Sequence, residues 1–218
     1  EIARFIPTEE TTLKNDFINS IGYSDDIIYF LNTYGSLYSI NEDDLKINWF
    51  INLNKSVDIN AASLFYSNPI IINKDKVIVS TTPYLYVFDA KTGVTSLKLA
   101  VSSIVHPIIS GNNLFLVTKN NLLVCLSTQT GKVIYSLNIS EEIGDFLNIK
   151  SKQIFIKSLI IVNSKLSIFL QNSYLTQLDV NGKVTSVDKL PQKLNSFPIF
   201  INDSILYLNN KNKLIILN

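Results

Sequence analysis

Few side chains in this sequence can do chemistry, and their spacing limits what that chemistry is. His106 is the single histidine and Cys125 the single cysteine among 218 residues. An imidazole can serve as a general base or a metal ligand, but no Ser or Cys partner motif accompanies this one. It precedes Pro107 in a slot that is Asn68 before Pro69 and Phe197 before Pro198. A position filled by three different chemistries is expected to be structural. Cys125 lies in the apolar run Leu122-Leu123-Val124-Cys125-Leu126, which predicts a buried thiol acting as a small hydrophobe. One cysteine excludes an internal disulfide and a cysteine zinc cluster. Asp43, Asp44, Asp75, Asp89, Asp179 and Asp203 fall in short polar breaks between apolar runs, where carboxylate oxygens accept turn amides. Gly93, Gly131 and Gly182 each precede a strand-like run rather than a helix, and none belongs to a phosphate-cradling glycine motif. The expectation is no catalytic, cofactor-binding or metal-ligating set, and no cofactor.

The elements that carry these residues recur. Pro69 and Pro107 are 38 residues apart, and so are Gly93 and Gly131. One copy reads Ile70-Ile71-Ile72, Lys76-Val77-Ile78-Val79, Tyr84-Leu85-Tyr86-Val87-Phe88, then Asp89-Ala90-Lys91-Thr92-Gly93. Asn, Asp and Gly punctuate the runs where hairpins need positive φ. A period near forty with short strands predicts stacked supersecondary units. Five copies are expected, at about 17–53, 69–100, 107–139, 158–190 and 197–218. The inner runs are almost wholly apolar, whereas the fourth, such as Val94-Thr95-Ser96-Leu97-Lys98-Leu99, is mixed. That gradient fits four-stranded antiparallel blades arranged radially, hence an all-β β-propeller. Residues 1–218 are read as one such domain, with residues 1–6 as a candidate closing outer strand or the tail of a preceding blade in a larger propeller. In the first copy Asn41-Glu42-Asp43-Asp44-Leu45 has no glycine, so a different third turn is expected there.

Composition narrows the function classes. Hydrophobic residues make up 46% of the chain, so a folded core is expected. Nineteen basic residues face eighteen acidic ones, a net charge of +1. Nucleic-acid binding, which needs a dense basic face, is not expected. No run approaches the roughly 18 apolar residues of a membrane span. The sequence holds no Met, and Glu1-Ile2-Ala3-Arg4 has no apolar h-region behind it. A processed or partial chain is expected, with any leader or lipid anchor belonging to the parent reading frame.

The Asp-x-x-Thr-Gly pattern after a hydrophobic strand resembles the pyrroloquinoline-quinone-type propeller repeat. Asp89…Gly93 matches it in full, Ser127-Thr128-Gln129-Thr130-Gly131 has Ser for Asp, and Asp179-Val180-Asn181-Gly182 is one residue shorter. Leu97, Tyr135 and Val187 stand where that family has an outer-strand Trp, with Trp49 as its remnant in the first copy. Within the family the chain looks more like the non-enzymatic BamB branch than like the quinoprotein dehydrogenases. The lone Cys cannot form the vicinal cysteine pair of the dehydrogenases, and Trp49 is the only indole available as a quinone floor. The resemblance implies a protein-binding scaffold of outer-membrane β-barrel assembly, periplasmic and tethered to the outer membrane. A dehydrogenase fragment and a sensor or adaptor propeller of a larger protein are the alternatives.

Two segments break the period, and partner binding is expected there. Residues 54–68 include Leu64, Phe65 and Tyr66; residues 140–153 include Glu142, Asp145 and Phe146. Insertions between blades fall on a rim, where aromatic anchors beside a few acids can hold a partner. Both segments are expected to be loops.

Overall fold

The structure is a computed structural model that describes residues 19–54, 65–150 and 153–217. Glu1–Ile6, Phe17 and Leu64 lie outside the described residues. Contacts divide the chain into two compact units, Glu1–Val101 and Ser102–Asn218.

The first unit holds two antiparallel four-stranded sheets in simple up-and-down order. One is β1 (Ser20–Ser24), β2 (Ile27–Leu31), β3 (Ser36–Asn41) and β4 (Ile47–Asn52). The other is β5 (Ile71–Asn73), β6 (Lys76–Ser80), β7 (Leu85–Asp89) and β8 (Thr95–Leu99). Their facing sides share one core, in which Tyr29, Leu31 and Leu37 pack with Val77, Val79, Tyr86 and Phe88. Each such side chain contributes about 1.5–3 kcal/mol when fully withdrawn from water. The inner strands are buried on both faces, as their unbroken apolar runs require, while β4 and β8 alternate between half-buried and exposed positions.

The second unit repeats the plan. Its sheets are β9 (Ile108–Ser110), β10 (Asn113–Val117), β11 (Leu122–Ser127) and β12 (Val133–Asn138), then β13 (Ile156–Val162), β14 (Lys165–Leu170), β15 (Tyr174–Leu178) and β16 (Val184–Lys189). A three-stranded sheet follows: β17 (Ile199–Ile201), β18 (Ser204–Leu208) and β19 (Leu214–Leu217). The β13–β16 sheet is buried on both sides. Leu166, Ile168 and Leu178 face Phe115 and Leu123, while Phe169 and Leu175 face Ile205 and Tyr207. Cys125 is buried in the first of these cores, and burial raises its thiol pKa.

The third turns carry the repeat. Asp89 Oδ1 accepts the N–H groups of Lys91 (3.1 Å) and Thr92 (2.8 Å), and Gly93 N–H donates to Asp89 O (2.9 Å). Gly93 sits at φ 72°. Immediately before this turn the β7–β8 register shifts between Val87 and Phe88. The same shift precedes Asn41, Ser127 and Asp179. The first copy corrects the sequence expectation, because its turn is the same one. Asn41 Oδ1 accepts from Asp43 N–H (2.9 Å) and Asp44 N–H (3.1 Å), and Leu45 N–H donates to Asn41 O (3.0 Å). Asn replaces Asp as the cap, and Leu45 occupies the glycine position at φ 56°. Three of these turns also grip the first hairpin of their own sheet: Glu42 N–H donates to Asp26 O, Ala90 N–H to Asp75 O and Thr128 N–H to Asn112 O.

Outer-strand aromatics close over the neighbouring turn. Trp49 on β4 donates its indole N–H to Ala90 O at 2.9 Å, and Tyr29 OH donates to the same carbonyl at 3.2 Å. A Cβ at Gly93 would stand 2.7 Å from the Trp49 ring. In the second unit a Cβ at Gly182 would stand 3.0 Å from the Tyr135 ring. Two different aromatics thus use the side-chain-free turn of the next sheet as a seat.

Gly93→Ala adds a methyl group where the indole lies and forces an L side chain into positive φ. Thermal or denaturant melting should show a loss of about 2–3 kcal/mol. Leu45→Gly acts in the opposite direction. Relief of roughly 1–2 kcal/mol of left-handed strain outweighs about 0.5–1 kcal/mol of added unfolded-state entropy, so its melting temperature should rise. The Asp89 carboxyl is held below its ordinary value of 3.8 by the hydroxyl of Thr92 first, and then by the Thr92 and Lys91 amides. With its folded pKa depressed, its contribution is complete above the ordinary value and vanishes as pH falls through the lower folded one. Asp89→Asn should therefore show a smaller loss of stability on acidification over that window.

Candidate partner-binding surface

The segment after β12 is a helix, which corrects the expectation of a loop. α1 spans Ile139–Leu147. Its start is written in the sequence: Asn138 is the N-cap, with its side chain accepting Ser140 N–H at 3.0 Å, and Glu141 and Glu142 place negative charge in the first turn. Its end is Asn148 in left-handed geometry at φ 53°, with N–H donated to Asp145 O and Gly144 O. Ile139 and Ile143 bury one face. Ile139 N–H also donates to Asn121 O at 3.1 Å, which fixes the helix start to the β10–β11 turn.

Helical spacing brings Glu142, Asp145 and Phe146 onto one face. Phe146 is 47% exposed, Leu147 41% and Ile149 52%. Against the opposite face of the helix a cavity of about 220 Å³ is lined by Ile143, Leu147, Ile149, Leu170 and Tyr174, with Lys150 among its polar edges. The β14 and β15 contributions, Leu170 and Tyr174, were not legible in the sequence. They lie inside ordinary strand patterns, and only the helix that folds beside them makes them walls of a groove. The amphipathic spacing of Ile139, Ile143 and Leu147 behind an Asn cap was the signal for that helix.

The other expected set, Leu64, Phe65 and Tyr66, falls in the first segment. Phe65 is half-buried against the core of the first unit, and its N–H donates to Thr33 O at 2.8 Å. Tyr66 is 56% exposed, and its carbonyl accepts from the Thr81 hydroxyl at 2.6 Å. Leu64 has no described position.

His106 is partly buried, and its Nδ1 meets no hydrogen-bond partner. Burial lowers its pKa, so the neutral imidazole is favoured near pH 7. Among the described residues, no three His, Cys, Asp or Glu side chains group in a way that could hold a metal ion. No helix among them is long and apolar enough to cross a membrane.

A family model described as outer membrane protein assembly factor BamB matches residues 9–137, more than half of the sequence. The chain belongs to the BamB family. No curated protein matches it in sequence. Among solved structures, BamB from Moraxella catarrhalis is similar at a TM-score of 0.72 and 11% identity, covering 95% of this chain and 61% of that one. The computationally designed Ika8 protein is similar at a TM-score of 0.66 and 12% identity, covering 90% of this chain and 56% of that one. Both likenesses are of fold, and the all-β propeller architecture read from the repeat holds. This chain spans less than two thirds of the length of either structure, and α1 with its groove falls beyond the stretch matched by the BamB family model.

Proposed function

We propose that this chain is a non-catalytic interaction scaffold that serves outer-membrane β-barrel assembly, as the name of its family suggests. The reading places it in the periplasm, tethered to the outer membrane through a lipid on the parent protein, with residues 1–218 contributing a single propeller domain. The observation that carries the reading is the α1 surface. Exposed Leu147 and Ile149 line a preformed groove against the sheet, and exposed Phe146 follows on the outer side of the helix. Water-exposed Phe and Leu beside a concave apolar wall favour an apolar side chain of a protein partner. Glu142 and Asp145, which share the outer helix face with Phe146, select against acidic segments and favour a basic rim on the partner. Tyr66 and Phe65, with Leu64, form a second contact region in this reading. The mechanism is passive: the sheets hold the helix at a fixed angle, so little ordering entropy is lost on binding.

The test is affinity for purified subunits of the β-barrel assembly machinery. Phe146→Ser with Leu147→Ser should weaken binding by about 2 kcal/mol or more, roughly thirtyfold, with melting close to that of the parent. Unchanged affinity in a folded double variant would remove the α1 surface from the interaction, and no affinity in the parent chain would remove the scaffold reading.

A further inference from the structure

A second concave site lies at the end of the fifth sheet. A pocket of about 310 Å³ is lined by Gln192, Lys193, Asn209, Asn210, Lys211 and Lys213. Three ammonium-bearing side chains border it, and none of the six lining residues is acidic. Asp203, the acid on this sheet, belongs to the β17–β18 turn at the other end of β18.

The turn that walls the pocket is capped without a charge, as is the second turn of the first sheet. Asn32 Oδ1, between β2 and β3, accepts the N–H groups of Tyr34 (3.1 Å) and Ser36 (2.9 Å). Asn209 Oδ1 accepts those of Lys211 (2.8 Å) and Lys213 (2.9 Å) at the same two offsets. Asn209 thus makes the same uncharged cap, in a turn that carries Lys211 and Lys213. It is buried, and its side-chain amide bonds Gln192 Oε1. The opposite wall is equally fixed. Tyr207 OH donates to Gln192 O at 2.9 Å, and Lys157 Nζ donates to Leu194 O at 2.6 Å and Asn195 O at 3.2 Å. Lys193 therefore extends from a backbone segment held on both sides. Burial lowers the pKa of the Lys157 ammonium, and the charge on Lys193 lowers it further.

We propose that this pocket binds a phosphate-type oxyanion, carried by a soluble phosphate ester or by the headgroup of an anionic lipid. Lysines bind phosphate as point charges, and neutral amides supply directional donors to its further oxygens. A single carboxylate would leave two of the three ammonium groups uncompensated, whereas a doubly charged, many-oxygen group matches them better. The proposal stands apart from the α1 reading, which involves none of these residues.

The test follows the backbone amides of residues 209–213 in the full chain by nuclear magnetic resonance. Inorganic phosphate and glycerol 3-phosphate are titrated at constant ionic strength against a chloride control. Sedimentation with phosphatidylglycerol vesicles, compared with phosphatidylcholine vesicles, runs alongside. Saturable shifts beyond chloride are expected, weakened roughly tenfold or more in Lys211→Gln/Lys213→Gln, whose turn bonds come from the backbone and survive. Asn209→Asp should keep the cap and lose the binding by placing a carboxylate in the pocket. Vesicle binding lost in these variants assigns the anion to a lipid headgroup; phosphate binding without vesicle binding assigns it to a soluble ester. Two results would overturn the proposal: shifts no larger than in chloride together with no variant-sensitive vesicle binding, or undiminished binding in the folded double-lysine variant.

Discussion

A sheet with two apolar faces has no stable existence alone in water. The β13–β16 sheet makes the constraint concrete: Ile168 and Leu178 need one neighbour, Phe169 and Leu175 need another, and both neighbours are supplied by copies of the same plan. Everything regular about this chain follows from that need. The turns must return the strand within a few residues, so they use caps and positive φ. The outer strand, with one mixed face, must still cover the joint, so Trp49 and Tyr135 lie over glycines of the next turn. A larger residue at Gly93 or Gly182 would separate two sheets rather than merely strain one loop.

That dependence explains why the architecture was legible. Strand identity came from unbroken apolar runs, and register came from the Asp-x-x-x-Gly spacing, which marks where each bulge and turn must fall. The error at Asn41–Leu45 is instructive. The sequence lacks the expected glycine, but Asn41 supplies the cap through the same side-chain oxygen, and the hydrogen bonds hold Leu45 in left-handed geometry. A motif read as residue letters missed a turn that the acceptor chemistry would have identified.

The functional surface was less legible because it is made by juxtaposition. Glu142, Asp145 and Phe146 were found in the sequence as an interruption of the period, but as a loop. The Asn138 cap, the two following glutamates and the Ile139/Ile143 spacing all favour helix. Those signals were outweighed by the regularity of the strands on either side. Leu170 and Tyr174 gave no signal, since their strand pattern is that of any inner strand. A groove wall built from repeat positions becomes distinctive only when an irregular element packs beside it.

The repeat also shows how chemistry can change while the fold does not. A side-chain oxygen is what the turn requires; a negative charge is incidental to it. Asp89 and Asp179 provide the oxygen with a charge, whereas Ser127 and Asn41 provide it without one. Each turn can therefore set its local electrostatics at little structural cost. The third turn of the β13–β16 sheet carries the Asp179 carboxylate, while the β18–β19 turn is capped by the neutral Asn209 and carries Lys211 and Lys213. In a chain whose total charge is nearly zero, such local differences, together with irregular insertions like α1, are what distinguish one sheet end from another to an incoming molecule. Selection on binding can act at these positions because the apolar strands that hold the sheets together do not depend on them.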